Sequence, residues 1–284
     1  MVYVGAALTI APQEDEITMA LGPDNRFQTG GSAWSQPFGR SAAVDQAQLD
    51  TGLRNYMLRV YNWMASGLLL TGIVAFLIAH TGVAELFYQV VRTPRGNATV
   101  PTILGWVAMF APLAFILVLS FGINRMSKTT AQALFWVFCA VMGASMSNIF
   151  AIYTSGSIAS TFFVTAAMFA GISLYGYTTK ADLTKLGSFM IMGLIGVLLA
   201  SLVNIFLQSS ALQFAITIIG VVVFVGLTAY DTQRIKADYI QHSYAEGSDE
   251  AGKRSVFDAL GLYLNFVNLF QLLLQLFGVR QNSN

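Results

Sequence analysis

Seven long apolar runs separated by short polar connections set the pattern of the chain: 56–79, 101–123, 131–153, 158–177, 186–207, 211–230 and 256–277. Each has about the 20 residues that a helix rising ~1.5 Å per residue needs to cross a hydrocarbon core. The pattern predicts an all-α polytopic membrane protein, with a bundle of seven transmembrane helices over residues 54–279. The connections 154–157 and 208–210 leave room only for tight turns, so the third and fourth spans, and the fifth and sixth, are expected as antiparallel neighbours. Residues 1–53 lack this pattern. Gly30, Gly31, Ser32, Pro37 and Gly39 break any period there, and Glu14, Asp15 and Glu16 form an acidic patch. A mostly disordered tail is expected, with a short interfacial helix over 45–59 leading into the first span. Met1 to Ile10 is apolar but has no basic region before it and is followed by Pro12 and acids, which argues against a cleaved signal peptide. Residues 280–284 read as a short C-terminal tail.

Composition agrees with the pattern. Hydrophobic residues make up 55% of the chain and charged ones 10%, against about 25% charged in soluble domains, and the mean hydropathy is +0.62. A net charge of +1 offers no basic surplus for nucleic acid. One cysteine, Cys139, and two histidines, His80 and His242, cannot build a soft-metal centre, and no cofactor is expected.

The distribution of charge sets orientation. With the N-terminus inside, the cytoplasmic side holds Arg26, Arg40, Arg54, Arg59, Arg125, Lys128, Lys180, Lys185, Arg234, Lys236, Lys253 and Arg254, leaving only Arg92, Arg95 and Arg280 outside. Lysine and arginine are retained on the cytoplasmic side, so the N-terminus is expected there and the C-terminus opposite.

Within the spans, small residues recur at close spacing: Gly143, Ala144 and Ser147, then Gly193, Gly196 and Ala200, then Gly220 and Gly226. They permit close helix approach. Pro112 falls in the middle of the second span and removes one backbone donor there.

Two polar features stand out against this background. The sixth span ends in GLTAYDTQRIK, with Asp231 close to membrane depth, where an ionisable side chain costs about 2.5–3.5 kcal/mol at a helix centre and less toward the end. The seventh span places Asp258, Asn265, Asn268, Gln271 and Gln275 within an arc of about 140°, over a rise of about 25 Å. Lipid cannot solvate that stripe, so it faces other helices or water. It reads either as interhelical hydrogen-bond glue or as a hydrated, ion-coordinating seam. Oxygen donors without soft ligands suit a hard cation such as Ca²⁺, held weakly and transiently at Asp231. For Asp231 the plainer reading is an ion pair with Arg234 or Arg125. Asp258, near the start of its span, reads more simply as an acid favoured at a helix N-terminus.

Several classes are set aside. The common seven-helix receptors place their N-termini outside, and a retinal protein needs a lysine that the seventh span lacks. His80 and His242 lie outside the apolar runs, away from any intramembrane serine nucleophile. The acids sit at helix ends rather than deep in facing helices, so enzyme activity is disfavoured.

Four stretches carry a resemblance: 52–68 (GLRNYMLRVYNWMASGL), 175–206 (YGYTTKADLTKLGSFMIMGLIGVLLASLVNIF), 226–236 and 259–278 (ALGLYLNFVNLFQLLLQLFG). Together they resemble the bacterial branch of the Bax inhibitor-1 family over about 52–279. The resemblance implies a seven-helix fold with the last helix central, and activity as a pH-sensitive calcium leak channel or as a regulator of cell death and membrane-protein quality control. It further implies that the sixth-helix aspartate, Asp231, pairs with an aspartate of a seventh-helix YLD motif, and that an arginine near the end of the second helix, matched within a residue or so by Arg125, engages the pair. Here the motif reads Tyr263-Leu264-Asn265. Two carboxylates titrate as a coupled pair, whereas an Asp–Asn pair has one titratable member.

The expected function is therefore a Ca²⁺ leak gated at its cytoplasmic end by Asp231, Asn265 and Arg125, with Asp258, Asn268, Gln271 and Gln275 along the path. Lipid, Ca²⁺ and protons are its partners. The alternative, from another class, is a non-conducting regulator whose cytoplasmic tail docks to a membrane protease or other membrane complex. The bacterial-type motifs favour an inner membrane over an organelle.

Overall fold

A computed structural model describes residues 38–93, 96–122, 126–243 and 248–281. The tail expected over 1–53 lies outside them up to residue 37, and so does Arg125. From Phe38 to His80 the described chain is one helix, α1. It is followed by a short helix α2 (Ala84–Phe87) and two strands, β1 (Tyr88–Thr93) and β2 (Gly96–Pro101). The helices α3 (Ile103–Gly122), α4 (Lys128–Met146), α5 (Ile149–Ile152), α6 (Ser155–Thr178), α7 (Thr184–Leu207), α8 (Ser210–Asp238) and α9 (Ser248–Phe277) complete the fold, with a π-helical turn over Tyr239–Ser243 after α8.

The antiparallel hairpin pairs Tyr88 with Pro101 through Thr93 with Gly96. Together with an isolated antiparallel bridge between Tyr153 and Arg280, it departs from an all-helical chain among the described residues. Aromatic and β-branched residues (Tyr88, Val90, Val91, Thr99, Val100) supply its strand preference.

Among the described residues, six helical segments are long and apolar enough to cross a membrane: Gln48–His80, Lys128–Ile152, Ser155–Thr178, Thr184–Leu207, Ser210–Gln241 and Glu250–Phe277. The run expected at 101–123 is the 20-residue helix α3, with Pro112 inside it.

Hydroxyl side chains start several of these helices. Ser127 accepts from the Thr130 amide at 3.2 Å, Thr154 from Ser157 at 3.4 Å, and Ser209 from Leu212 at 3.3 Å, each satisfying an N–H with no partner inside its helix. The tight turn between α7 and α8 is made by Gln208 in the left-handed conformation, at φ 50°, next to the Ser209 cap.

The helix α9 is the most buried of the six, packing against α4, α6 and α8. Its Tyr263, fully buried, stacks edge-on against Phe135 and Phe138 of α4. The Tyr263 hydroxyl lies 2.7 Å from Thr71 Oγ1 of α1. Because Thr71 donates its own proton to a backbone carbonyl (Gly67 and Cys139 are both at 2.9 Å), Tyr263 is the donor in this pair.

Close helix approach is visible at the small residues. A Cβ on Gly143 would meet the Thr71 carbonyl at 2.7 Å, and one on Gly226 would meet Met190 at 2.6 Å. Gly196 is the exception, with open space around it.

Candidate functional site

Helix α8 carries the apolar sixth span into GLTAYDTQRIK without a break, as far as Asp238. That continuity puts Asp231 on the α9-facing side near the helix end, its side chain only 13% exposed. An acid there opposes the helix macrodipole and needs compensation. The Asn265 amide of α9, itself buried, donates from Nδ2 to Asp231 Oδ2 at 2.7 Å. On the other carboxylate oxygen, Arg234 Nη2 lies 3.2 Å from Asp231 Oδ1, while its guanidinium sits 5.9 Å from the centre of the Tyr230 ring. Both oxygens of Asp231 are thus engaged, one by a buried amide and one by a half-exposed cation. Among the described residues no three His, Cys, Asp or Glu side chains are grouped as a metal site.

The other residues of the stripe separate into different environments. Asp258 does not act as an N-terminal acid, because α9 begins at Ser248, ten residues earlier than Asp258. The polar stretch before the apolar run is itself helical. Asp258 instead accepts a 2.6 Å hydrogen bond from Tyr56 of α1, whose ring packs 4.8 Å from that of Tyr239. Asn268 returns its amide to its own helix, donating to Leu264 O at 2.8 Å. Gln271 makes no side-chain hydrogen bond among the described residues. Gln275 joins a cluster at the opposite end of the seam. Its Oε1 accepts from Gln213 Nε2 at 3.2 Å and from Thr217 at 3.4 Å, and Gln213 Oε1 accepts from Asn204 of α7 at 3.1 Å.

Between these two polar ends the seam is filled by hydrocarbon. Met190, Val223, Phe224, Leu227, Leu269 and Leu273 form one buried cluster, and Leu272 rests on Gly220, where an added Cβ would lie 3.0 Å from it. On α9 this layer falls within the ten residues from Asn265 to Gln275, about 15 Å of helix. Arranged this way, α8 and α9 hold a carboxylate–amide contact at one end, an apolar layer in the middle and an amide cluster at the other.

Sequence reading missed Asn204, Gln213, Thr217 and Tyr56. A signal existed for the first two: Asn204 and Gln213 flank the 208–210 turn, and an antiparallel helical hairpin brings such flanking positions opposite each other. It also missed a chain of hydroxyls beside Asp231, in which Tyr61 lies 2.5 Å from Ser173, Ser173 lies 2.9 Å from Thr232, and Thr232 donates to Thr228 O at 2.8 Å.

A helical membrane bundle with a buried Asp–Asn contact between its last two helices defines the class. Residues 53–282 match the family described as inhibitor of apoptosis-promoting Bax1, and the chain belongs to this Bax inhibitor-1 family. It is 46% identical over 245 residues to the inner membrane protein YbhL of Escherichia coli K12, a match covering 86% of this chain and 99% of YbhL. A Caulobacter vibrioides protein is 45% identical over 249 residues, covering 86% of this chain and 97% of the relative. A Rickettsia prowazekii protein is 47% identical over 234 residues, covering 82% and 93%. The chain is a multi-pass inner-membrane protein.

Proposed function

We propose that the chain is a Ca²⁺ leak pathway of the Bax inhibitor-1 type, without catalytic chemistry, held closed in this conformation by the latch between Asp231 and Asn265. In this reading α3 completes a seven-helix bundle and the N-terminus is cytoplasmic, in line with the side on which basic residues concentrate. The observation that carries the proposal is the pairing of both Asp231 oxygens, one with Asn265 Nδ2 at 2.7 Å and one with Arg234 at 3.2 Å, at the mouth of a seam whose middle is packed with apolar side chains. Opening requires the latch to part and the apolar layer to separate, and a cation then meets the freed carboxylate. Asp231 holds such an ion only in passing, since no second carboxylate bonds it among the described residues. Arg125 is assigned to the same mouth from the sequence alone.

Ca²⁺ flux into liposomes holding the purified protein, measured across pH, tests this. Asp231→Asn removes the only titratable member of the latch and is expected to change the basal flux and flatten its pH dependence. Unchanged flux with unchanged pH dependence means that Asp231 is not the gate.

A further inference from the structure

Away from the latch, a groove of about 780 Å³ runs between α1 and α6, with Phe266 of α9 in its lining. Sequence explains why it is there. Ala65 on α1 and Ala166 and Ala170 on α6 are too small to fill the gap between the two helices. One wall runs from Arg54 to Leu69 and the other from Phe162 to Tyr177, each sixteen residues and so about 22 Å from first to last. Leu58, Leu69 and Leu174 line the groove and are 50%, 66% and 63% exposed, so it opens sideways toward the surrounding lipid. A second hollow of about 340 Å³ along Leu69 to Leu77 of α1, also bordered by Phe162, continues the apolar track.

The polar groups of the groove sort themselves. The Tyr61 and Ser173 hydroxyls bond each other at 2.5 Å, leaving a wall that asks nothing of an apolar occupant. Arg54 is different. It is exposed at the end where α1 enters the apolar run and has no ion-pair partner among the described residues. A second cation stands at the same end, Lys236, whose Nζ donates to Tyr177 O at 2.9 Å.

Size decides what fits. About 780 Å³ spread over about 22 Å makes a long, narrow groove that a hydrocarbon chain can follow. We propose that the groove binds one phospholipid of the bilayer, an acyl chain lying along Ala65, Ala166 and Ala170 with the phosphate set against Arg54. Charge agrees, since Arg54 stands at the end where α1 enters its apolar run, and the apolar length exceeds one leaflet of an about 30 Å hydrocarbon core. This site is separate from the latch and does not depend on the leak reading.

Native mass spectrometry of the full chain, extracted in mild detergent and washed, reads the bound lipid directly, with phosphatidylethanolamine and phosphatidylglycerol added back in separate titrations. The expected result is about one phospholipid retained per chain, lost in Ala170→Trp and in Ala65→Trp, each of which fills the groove from a different wall. Arg54→Gln should bind about tenfold more weakly, the size of one charged hydrogen bond, for both lipids. Melting temperature and elution volume are followed for each variant, so a misfolded variant is replaced by its opposite-wall counterpart. A photo-crosslinking residue at Ala170 should add the mass of a lipid. Retention unchanged in both folded tryptophan variants overturns the proposal, as does a crosslink to a second protein chain.

Discussion

Asn265 Nδ2 donates to Asp231 Oδ2 across 2.7 Å, an amide standing where a second carboxylate would make the contact a proton-sharing pair. Restoring that acid tests the pairing. In Asn265→Asp two carboxylates would lie at hydrogen-bond distance and hold one proton between them. At low pH the shared proton keeps the latch closed. As pH rises it is lost, and two like charges then face each other. Ca²⁺ flux of Asn265→Asp in liposomes should therefore climb with pH more steeply than that of the native chain. A profile parallel to the native one would undo the pairing.

The Tyr56 hydroxyl donates to Asp258 Oδ2 at 2.6 Å and ties α1 to α9 across 202 residues of sequence. Tyr56→Phe leaves a half-buried carboxylate short of a donor and is expected to cost about 1–3 kcal/mol, read as a lower melting temperature in detergent. Asp258→Asn should cost less, because an amide oxygen still accepts from Tyr56. If the double variant is no less stable than the worse single one, the two effects pass through one bond; full additivity denies it.

How much of this was legible beforehand follows from the range of each interaction. Apolar length is local: the runs at 158–177, 186–207, 211–230 and 256–277 all fall on long helices, while the run at 131–153 divides between α4 and the short α5. The hairpin over 88–101 escaped because its strands are six residues each and lie between two apolar runs. That Asp231 meets Asn265 was implied by the family resemblance, which pairs these two positions, whereas the polar face of the seventh span alone left the partner of Asp231 open. Asp258 was misread because the apolar stretch starts at Val256 while the helix starts at Ser248, and hydropathy cannot see where a backbone becomes helical. Its partner Tyr56 is set by tertiary packing alone.

Gly176 of α6 faces the backbone of Ala229 on α8, and an added Cβ would collide with the Ala229 carbonyl oxygen. Backbone cannot yield as a flexible side chain can. Gly176→Ala should destabilise by about 1–3 kcal/mol, while Gly196→Ala, with nothing within 4 Å, should be neutral or stabilise by up to about 1 kcal/mol through helix propensity. Thermal unfolding of the two variants side by side checks the contrast, and equal melting temperatures would contradict the close approach of α6 and α8.

Asp182 lies outside the spanning helices, before α7. The Thr184 hydroxyl and then the Thr184 amide, 2.9 Å from Asp182 Oδ1, hold its carboxyl below the usual carboxylate range. A pKa lower in the folded than in the unfolded state stabilises the fold above the unfolded value, and that contribution is lost as pH falls through the folded one. Carbon-detected NMR titration should find the depressed midpoint, and Thr184→Ala, which keeps the amide and removes the hydroxyl, should move it part of the way back up. A midpoint indifferent to Thr184 would reject the assignment.

The apolar layer of Phe224, Leu269 and Leu273 separates the latch from the amide cluster at Gln275, and it gives the leak reading its most direct test. An ion cannot cross a dry layer, because leaving water costs a bare charge far more than thermal energy supplies. If the path follows the α8–α9 seam, then making this layer polar should wet it even with the latch closed. Leu273→Asn places an amide toward the Gln213 and Gln275 end and, on the proposed reading in which Asp231 sets the pH dependence, should raise basal Ca²⁺ flux while leaving that dependence in place. Leu198→Asn, on the exposed side of α7, puts the same group away from the seam and should leave flux unchanged. Equal flux in the native chain and Leu273→Asn, with the variant folded and inserted, would move the path away from the seam altogether.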